Sequence, residues 1–329
     1  MKVQQVFEQF LESAVNLNAS RITKIKDAIR ILPSFISESD VYKDVYIKAI
    51  PQGSYRQKTI IKPKGDNQSF DLDLGIIVKK HPSWEPKDYL SNLAKIFVAS
   101  ERYKDLTDTI GKTRCVTIDY EGDFHVDLVP TIFDGIHYWV CNKTTKELEP
   151  SDGEGYANWF SSQNSLAAGN LVNVVRLLKY LRDYKEDFDT KSIILTTIAA
   201  KMVNAVDVGT YHSIPGALQI ILTRIDQFLS QFSVPPSIEN PAMPGETFNR
   251  HWRDDQPGFD ALKKSISKYY LIATEAIQQD NENDELKTWR KLFGDEFRFD
   301  DTPIKRSDSK VLSTVPFTPE KPWSKNEAD

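Results

Sequence analysis

Three aspartates stand in stretches otherwise built for burial. Asp71 and Asp73 lie in Phe70-Asp71-Leu72-Asp73-Leu74-Gly75-Ile76-Ile77-Val78, and Asp127 lies in His125-Val126-Asp127-Leu128-Val129-Pro130. Both stretches alternate as β-strands do, so Asp71 and Asp73 point to one sheet face while Leu72 and Leu74 point to the other. The same alternation sets Asp127 opposite Val126 and Leu128. If the two strands are neighbours, three carboxylates converge. Their mutual repulsion makes such a cluster stable mainly when cations occupy it, and hard oxygen ligands suit Mg²⁺ or Mn²⁺. Two such ions would lower the pKa of an attacking hydroxyl and neutralise a departing pyrophosphate, which is the chemistry of nucleotidyl transfer from a triphosphate. A lone Asp-x-Asp is usually a pair of solvated strand-end residues. Here the apolar run on either side argues that the charges have a purpose.

Upstream, Ile50-Pro51-Gln52-Gly53-Ser54-Tyr55 runs from a strand into a turn that opens a short helix. Gly53 permits close backbone approach, Ser54 brings a hydroxyl, and exposed N–H groups can hold phosphate oxygens. Gly-Ser is an ordinary turn dipeptide by itself; its place ahead of the aspartate pair gives it meaning. Arg56, Lys58, Lys62 and Lys64 follow, a local positive field over a triphosphate or, equally, a solvated loop.

Apolar spacing predicts helices over Val3 to Leu32, with Pro33 as their stop. Strand patterns follow at Val45–Ile47, Leu72–Val78, Cys115–Ile118 and Phe124–Val129, interrupted by a helix from Pro86 to about Ser100. Beyond Pro150 the pattern is helical, near 154–165, 170–185, 191–205, 215–231, 256–279 and 283–293. The expected fold is therefore α+β: a catalytic lobe over residues 1–150, a helical lobe over 151–300 and a ligand cleft between them, with the first helix packing across both. The Pro-bearing polar tail, 301–329, reads as a flexible extension.

The chain has 329 residues, 40% of them hydrophobic, enough for one large or two closely packed domains. A net charge of −5, from 42 basic and 47 acidic residues, gives no global attraction to nucleic acid or to an anionic membrane. Cys115 and Cys141 are the only cysteines, which excludes a disulfide scaffold and a zinc ribbon. The five histidines show no zinc-site spacing. With no signal pattern and no apolar run near the roughly 18 residues of a membrane span, a soluble cytoplasmic protein is expected.

Taken together, Gln52-Gly53-Ser54, Thr59-Ile60-Ile61-Lys62-Pro63, Asp71-Leu72-Asp73-Leu74, Arg114 to Asp119 and Val126-Asp127-Leu128-Val129-Pro130 resemble the cGAS/DncV-like nucleotidyltransferases (CD-NTases) of bacterial CBASS anti-phage signalling systems. The likeness continues more diffusely to about residue 300. It implies a polymerase-β-like core with a mixed sheet, packed against a helical lobe. It also implies that Asp71 and Asp73 bind two Mg²⁺ or Mn²⁺ ions and that Asp127 binds the catalytic one. Gln52, Gly53 and Ser54 would form the nucleotide-binding turn, with Ser54 and the Gly53 backbone on the triphosphate. Lys179 would contact the donor phosphates, joined by the Ser192 hydroxyl. On the helical wheel Lys179 flanks the apolar arc of Leu171, Val174, Val175, Leu178 and Leu181, a place that also suits a snorkelling surface lysine, while Arg182 projects into that arc as a paired cleft charge. Trp252 falls in a segment that the resemblance sets near the cleft.

The product implied is a cyclic di- or trinucleotide second messenger that acts on a separate effector, with the C-terminal tail as a handle for a regulatory protein. Without the zinc-binding insertion of the animal DNA sensor, activation by nucleic acid is not expected. Two other readings stay open on the residues alone: nucleotidyl transfer to a protein, RNA or small molecule, and a nucleotide-binding module without chemistry.

Overall fold

The computed structural model describes residues 2–65, 69–108, 112–120, 124–249, 252 and 254–298. The expected tail, 301–329, lies outside the described residues. The chain opens with helix α1 (Lys2–Phe10), a π-helical turn over Leu11–Val15, and α2 (Ala19–Ser37). The Asn18 side chain caps α2 by accepting from the Arg21 N–H. Pro33 does not end this helix, which continues through it to Ser37. The proline lies between Leu32 and Ile36, both fully buried. Their burial offsets the one hydrogen bond that its missing N–H removes.

Among the described residues seven strands form one mixed sheet: β1 (Tyr46–Pro51), β2 (Phe70–Lys79), β3 (Thr107–Asp108), β4 (Val116–Asp119), β5 (Phe124–Phe133), β6 (Tyr138–Asn142) and β7 (Glu147–Pro150). The order is β1-β2-β5-β4-β3, with β6 on β5 and β7 on β6. Among the described residues only the β2–β5 pair is parallel. Strand β5 runs past the predicted Val129 to Phe133 and changes partner along its length. It pairs with β4 through Leu128 and with β6 from Thr131. Pro130 sits at that changeover, where a missing ladder N–H is tolerated. Between β1 and β2 comes a single helical turn, α3 (Gly53–Arg56), and after β2 comes α4 (Pro86–Val98), started by a Glu85–Asp88 capping box.

The later chain is helical: α5 (Gly153–Leu166), α6 (Asn170–Lys185), α7 (Ser192–Lys201), α8 (Ile214–Ser230), α9 (Gln256–Ile277) and α10 (Glu282–Phe293). The buried side chains fall into two clusters. One joins α2, α4 and the sheet, from Leu17 to Cys141. The other joins α5 to α10 with the first helix, whose Phe7 and Phe10 pack edge-on against Trp289 and Phe297. Thus α1 belongs to the helical core and α2 to the sheet core. No helix among the described residues is long and apolar enough to cross a membrane.

Candidate active site

The parallel register of β2 and β5 sets Asp73 directly beside Asp127 and Asp71 beside His125. All four residues stand on one face, while Leu72, Leu74, Val126 and Leu128 are fully buried on the other. The expected juxtaposition of strands is thus met by hydrogen-bonded neighbours.

The carboxylates do not close on a common point, however, and no group of three His, Cys, Asp or Glu side chains among the described residues is set to hold an ion. Lys112 occupies the intervening space. Its Nζ donates to Asp127 Oδ2 at 2.6 Å and lies 3.6 Å from Asp71 Oδ1. Burial opposes the lysine charge, but the hydrogen bond to Asp127 and the charges of Asp127 and Asp71 hold its pKa above the usual lysine range. The other Asp127 oxygen accepts from Thr117 Oγ1 at 2.7 Å. Asp73 turns instead toward Gly53. Burial, then the charges of Asp127 and Asp71, push its carboxyl up to about 6. A lysine cation bridges two of the acids, while the third is raised by its burial and by the charges of the other two. This donor set of hard carboxylate oxygens fits a divalent ion.

The Gly53 turn is locked to the aspartates. The Gln52 N–H donates to the Asp73 carbonyl at 2.9 Å, and Gly53 adopts φ +57°. The Gln52 side chain packs away under the turn, against Gly75 of β2 and Gly153 of α5. A Cβ on Gly153 would stand 3.1 Å from its Cδ, and one on Gly75 3.0 Å.

A cleft of about 680 Å³ opens over these elements, lined by Gln52, Gly53, Ser54, Asp71 and Asp73 on one side and by Lys179, Arg182, Asp183 and Ser192 on the other. The second wall comes from α6 and the start of α7. Lys179 is buried, with its Nζ donating to the Thr59 carbonyl at 2.9 Å and to Thr59 Oγ1 at 3.2 Å. Burial, then the neighbouring Arg182 and Arg176, pull its ammonium down to about 7, with Asp183 and Asp73 opposing. Arg182 binds Asp183, the Thr190 carbonyl and Ser192 Oγ, the last at 3.0 Å. One turn before Lys179, Arg176 donates to the Lys58 carbonyl and to Asn16 Oδ1. Residues 176, 179 and 182 therefore form one polar stripe that binds the 58–59 turn and edges the cleft.

Sequence reasoning singled out Asp71, Asp73, Asp127, Gln52, Gly53, Ser54, Lys179 and Ser192, and all but Asp127 line the cleft, with Asp127 directly beneath Asp73 in the sheet. It missed Lys112 and Thr117, whose contacts depend on tertiary folding, and Phe248, which lines the cleft where Trp252 was expected. Trp252 is instead packed in the helical core against Phe259.

This sheet, with its paired carboxylates, phosphate-sized turn and helical second wall, defines a polymerase-β-like nucleotidyltransferase. Similar folds are E. coli MS115-1 CdnC with ATP (TM-score 0.69, 18% identity, 90% of this chain and 99% of that one) and Bradyrhizobium diazoefficiens CdnG with GTP (TM-score 0.71, 14% identity, 90% and 96%). Residues 1–164 match the Second Messenger Oligonucleotide or Dinucleotide Synthetase domain. A c-di-GMP synthase of Roseivirga ehrenbergii is 25% identical over 277 residues, covering 74% of this chain and 72% of the relative. The chain belongs to the cGAS/DncV-like nucleotidyltransferases, the CD-NTases.

Proposed function

We propose that this enzyme condenses ribonucleoside triphosphates, with release of pyrophosphate, into a cyclic di- or trinucleotide second messenger that acts on a separate effector in anti-phage defence. The observation that carries this reading is the register of Asp73 with Asp127, with Asp71 on the same face, beside the Gly53–Ser54 turn in a cleft of nucleotide size. A cyclic AMP-AMP-AMP synthase of Acinetobacter, 22% identical over 90% of this chain and 86% of its own length, supports a product of this class.

In this reading the donor triphosphate lies along the Gly53–Ser54 turn, with Ser54 Oγ and the turn amides on its oxygens and Lys179 facing it from α6. Asp71, Asp73 and Asp127 are the residues that would hold Mg²⁺ or Mn²⁺. Bound there, two ions would supply charge neutralisation at the pyrophosphate and a lowered pKa at the attacking hydroxyl. Lys112 must leave Asp127 for that occupancy, and its half-buried side chain stands at the surface end of the row. Arg182 fixes Ser192 so that its hydroxyl proton faces the phosphates. The buried Thr117 holds Asp127 by one oxygen and leaves the other for the reaction.

The purified protein incubated with labelled NTP mixtures and Mg²⁺ or Mn²⁺ should yield a phosphatase-resistant nucleotide that Asp71→Ala and Asp73→Ala abolish. Label on a protein or RNA, or tight NTP binding without pyrophosphate release, would defeat the proposal.

A further inference from the structure

Beyond the metal-facing acids, the same sheet face carries a second polar row. Ser69 Oγ lies 2.6 Å from His125 Nε2, and His125 Nδ1 lies 3.2 Å from Asp119 Oδ1. Asp119 and His125 are register partners across β4 and β5, as His125 and Asp71 are across β5 and β2. His125 Nδ1 and Asp119 Oδ1 are buried and, although close, make no hydrogen bond among the described residues. The Ser69 hydroxyl is thus held against the imidazole by a short contact. Ser69 also lines the cleft, to which its oxygen offers lone pairs.

From these contacts we propose that Ser69 accepts a hydrogen bond from the acceptor nucleotide, from the ribose hydroxyl next to the one that attacks, and that His125 and Asp119 are its positioning residues. The proposal rests on the nucleotidyl-transfer reading above. Position along the strand assigns the partner. The phosphate-holding turn abuts Asp73, whereas Ser69 lies past Asp71 at the other end of the row, roughly 13 Å from Asp73 along the strand. Displacement at phosphorus brings the attacking hydroxyl from the side opposite the leaving pyrophosphate, which is the Ser69 end. Ser69 and Asp71 are two residues apart on one face, roughly 7 Å, a span that a ribose bridges when one of its vicinal hydroxyls is at the acids. Phe70, stacked on Phe124, which is stacked in turn on Tyr120, keeps this end of the strands in place.

The test separates the two substrates. A 2′,3′-dideoxynucleoside triphosphate serves only as donor and a nucleoside 5′-monophosphate only as acceptor. Ser69→Ala should raise the KM for the monophosphate about 3- to 10-fold, the range of one neutral hydrogen bond, with donor KM unchanged. Ser69→Thr should restore it, and His125→Phe should reproduce Ser69→Ala. A monophosphate that lacks the spare ribose hydroxyl should bind wild type as weakly as Ser69→Ala binds the parent compound, with no further loss in the combination. An unchanged acceptor KM, a rise in donor KM instead, or covalent labelling of Ser69 by a fluorophosphonate would overturn the assignment. If wild type releases no pyrophosphate from any pair, the nucleotidyl-transfer reading fails by itself. Calorimetric affinity for the monophosphate then decides the Ser69 contact, and equal values in wild type and Ser69→Ala would refute it.

Discussion

Gly53 and Asp73 share one space: a Cβ on Gly53 would stand 3.0 Å from Asp73 Cγ and closer still to Oδ2, and the glycine's φ of +57° is one that other residues rarely adopt. The turn and the acid are thus packed as one piece. Gly53→Ala should lower pyrophosphate release at least 100-fold while costing the fold only about 1–2 kcal/mol. Chemical denaturation and an activity assay on the same preparation check both numbers.

Asp73 sets a pH dependence in the metal-free protein. Its carboxyl rises from 3.8 to about 6 on folding, so the folded state holds more protons than the unfolded state between those values. Stability then falls as pH rises through that window, and the loss persists at neutral pH. Asp73→Asn should raise the melting temperature at pH 7.5 in chelator, with a gain of about 1–3 kcal/mol. Mg²⁺ should raise the melting temperature of wild type and leave Asp73→Asn nearly unmoved, as read by scanning calorimetry.

Lys179 runs the other way. Its folded value near 7 lies below the usual 10.5, so the folded state holds fewer protons between the two. The penalty is complete below pH 7 and is relieved as pH rises toward 10.5. A triphosphate bound as proposed would restore the ammonium. At pH 8 its binding should therefore take up close to one proton per site, measured by calorimetry in buffers of different ionisation enthalpy. Lys179→Met should abolish the uptake and weaken binding.

Lys112 competes with cations. It bridges Asp127 and Asp71 from an otherwise exposed position, so removing its charge frees both acids. Lys112→Met should bind Mn²⁺ about 3- to 10-fold more tightly in the absence of nucleotide, within the range of one charge-assisted contact. Electron paramagnetic resonance of free Mn²⁺ reads this directly, and unchanged affinity would rule out the competition.

Arg176 joins the helical core to the turn before the acids. It is one of several polar ties there, with the Lys62 N–H donating to the Val15 carbonyl and Lys64 pairing with Glu186. Burial pulls its guanidinium down to about 10, and its bonds to the Lys58 carbonyl and Asn16 Oδ1 hold Lys58 at φ +61°. Arg176→Met should cost about 2–4 kcal/mol, the loss of two hydrogen bonds to a charged group. Limited proteolysis should then cut first near Lys58.

Much of this was written in local pattern. Alternation alone placed Asp71 and Asp73 on one face and Leu72 and Leu74 on the other, because strand geometry fixes side-chain direction without reference to anything distant. Helical spacing and caps set α5 through α10 within a few residues for the same reason. Pro33 misled because its local penalty was outweighed by the burial of Leu32 and Ile36, a tertiary gain that no window of neighbours contains.

The sequence by itself determined the candidates for chemistry: three acids in apolar strands, a Gly-Ser turn ahead of them and a lysine on a helix flank. Tertiary structure decided what those residues face. The parallel β2–β5 register made Asp73 and Asp127 neighbours and drew Ser69, His125 and Asp119 into a row, while Lys112 came to rest between two acids and Lys179 on Thr59. Strand direction and residue type are local properties of the chain. Register, burial and the field at each charge are set by residues distant in sequence, such as Asp73 and Asp127 or Thr59 and Lys179, and those meet only when the chain folds.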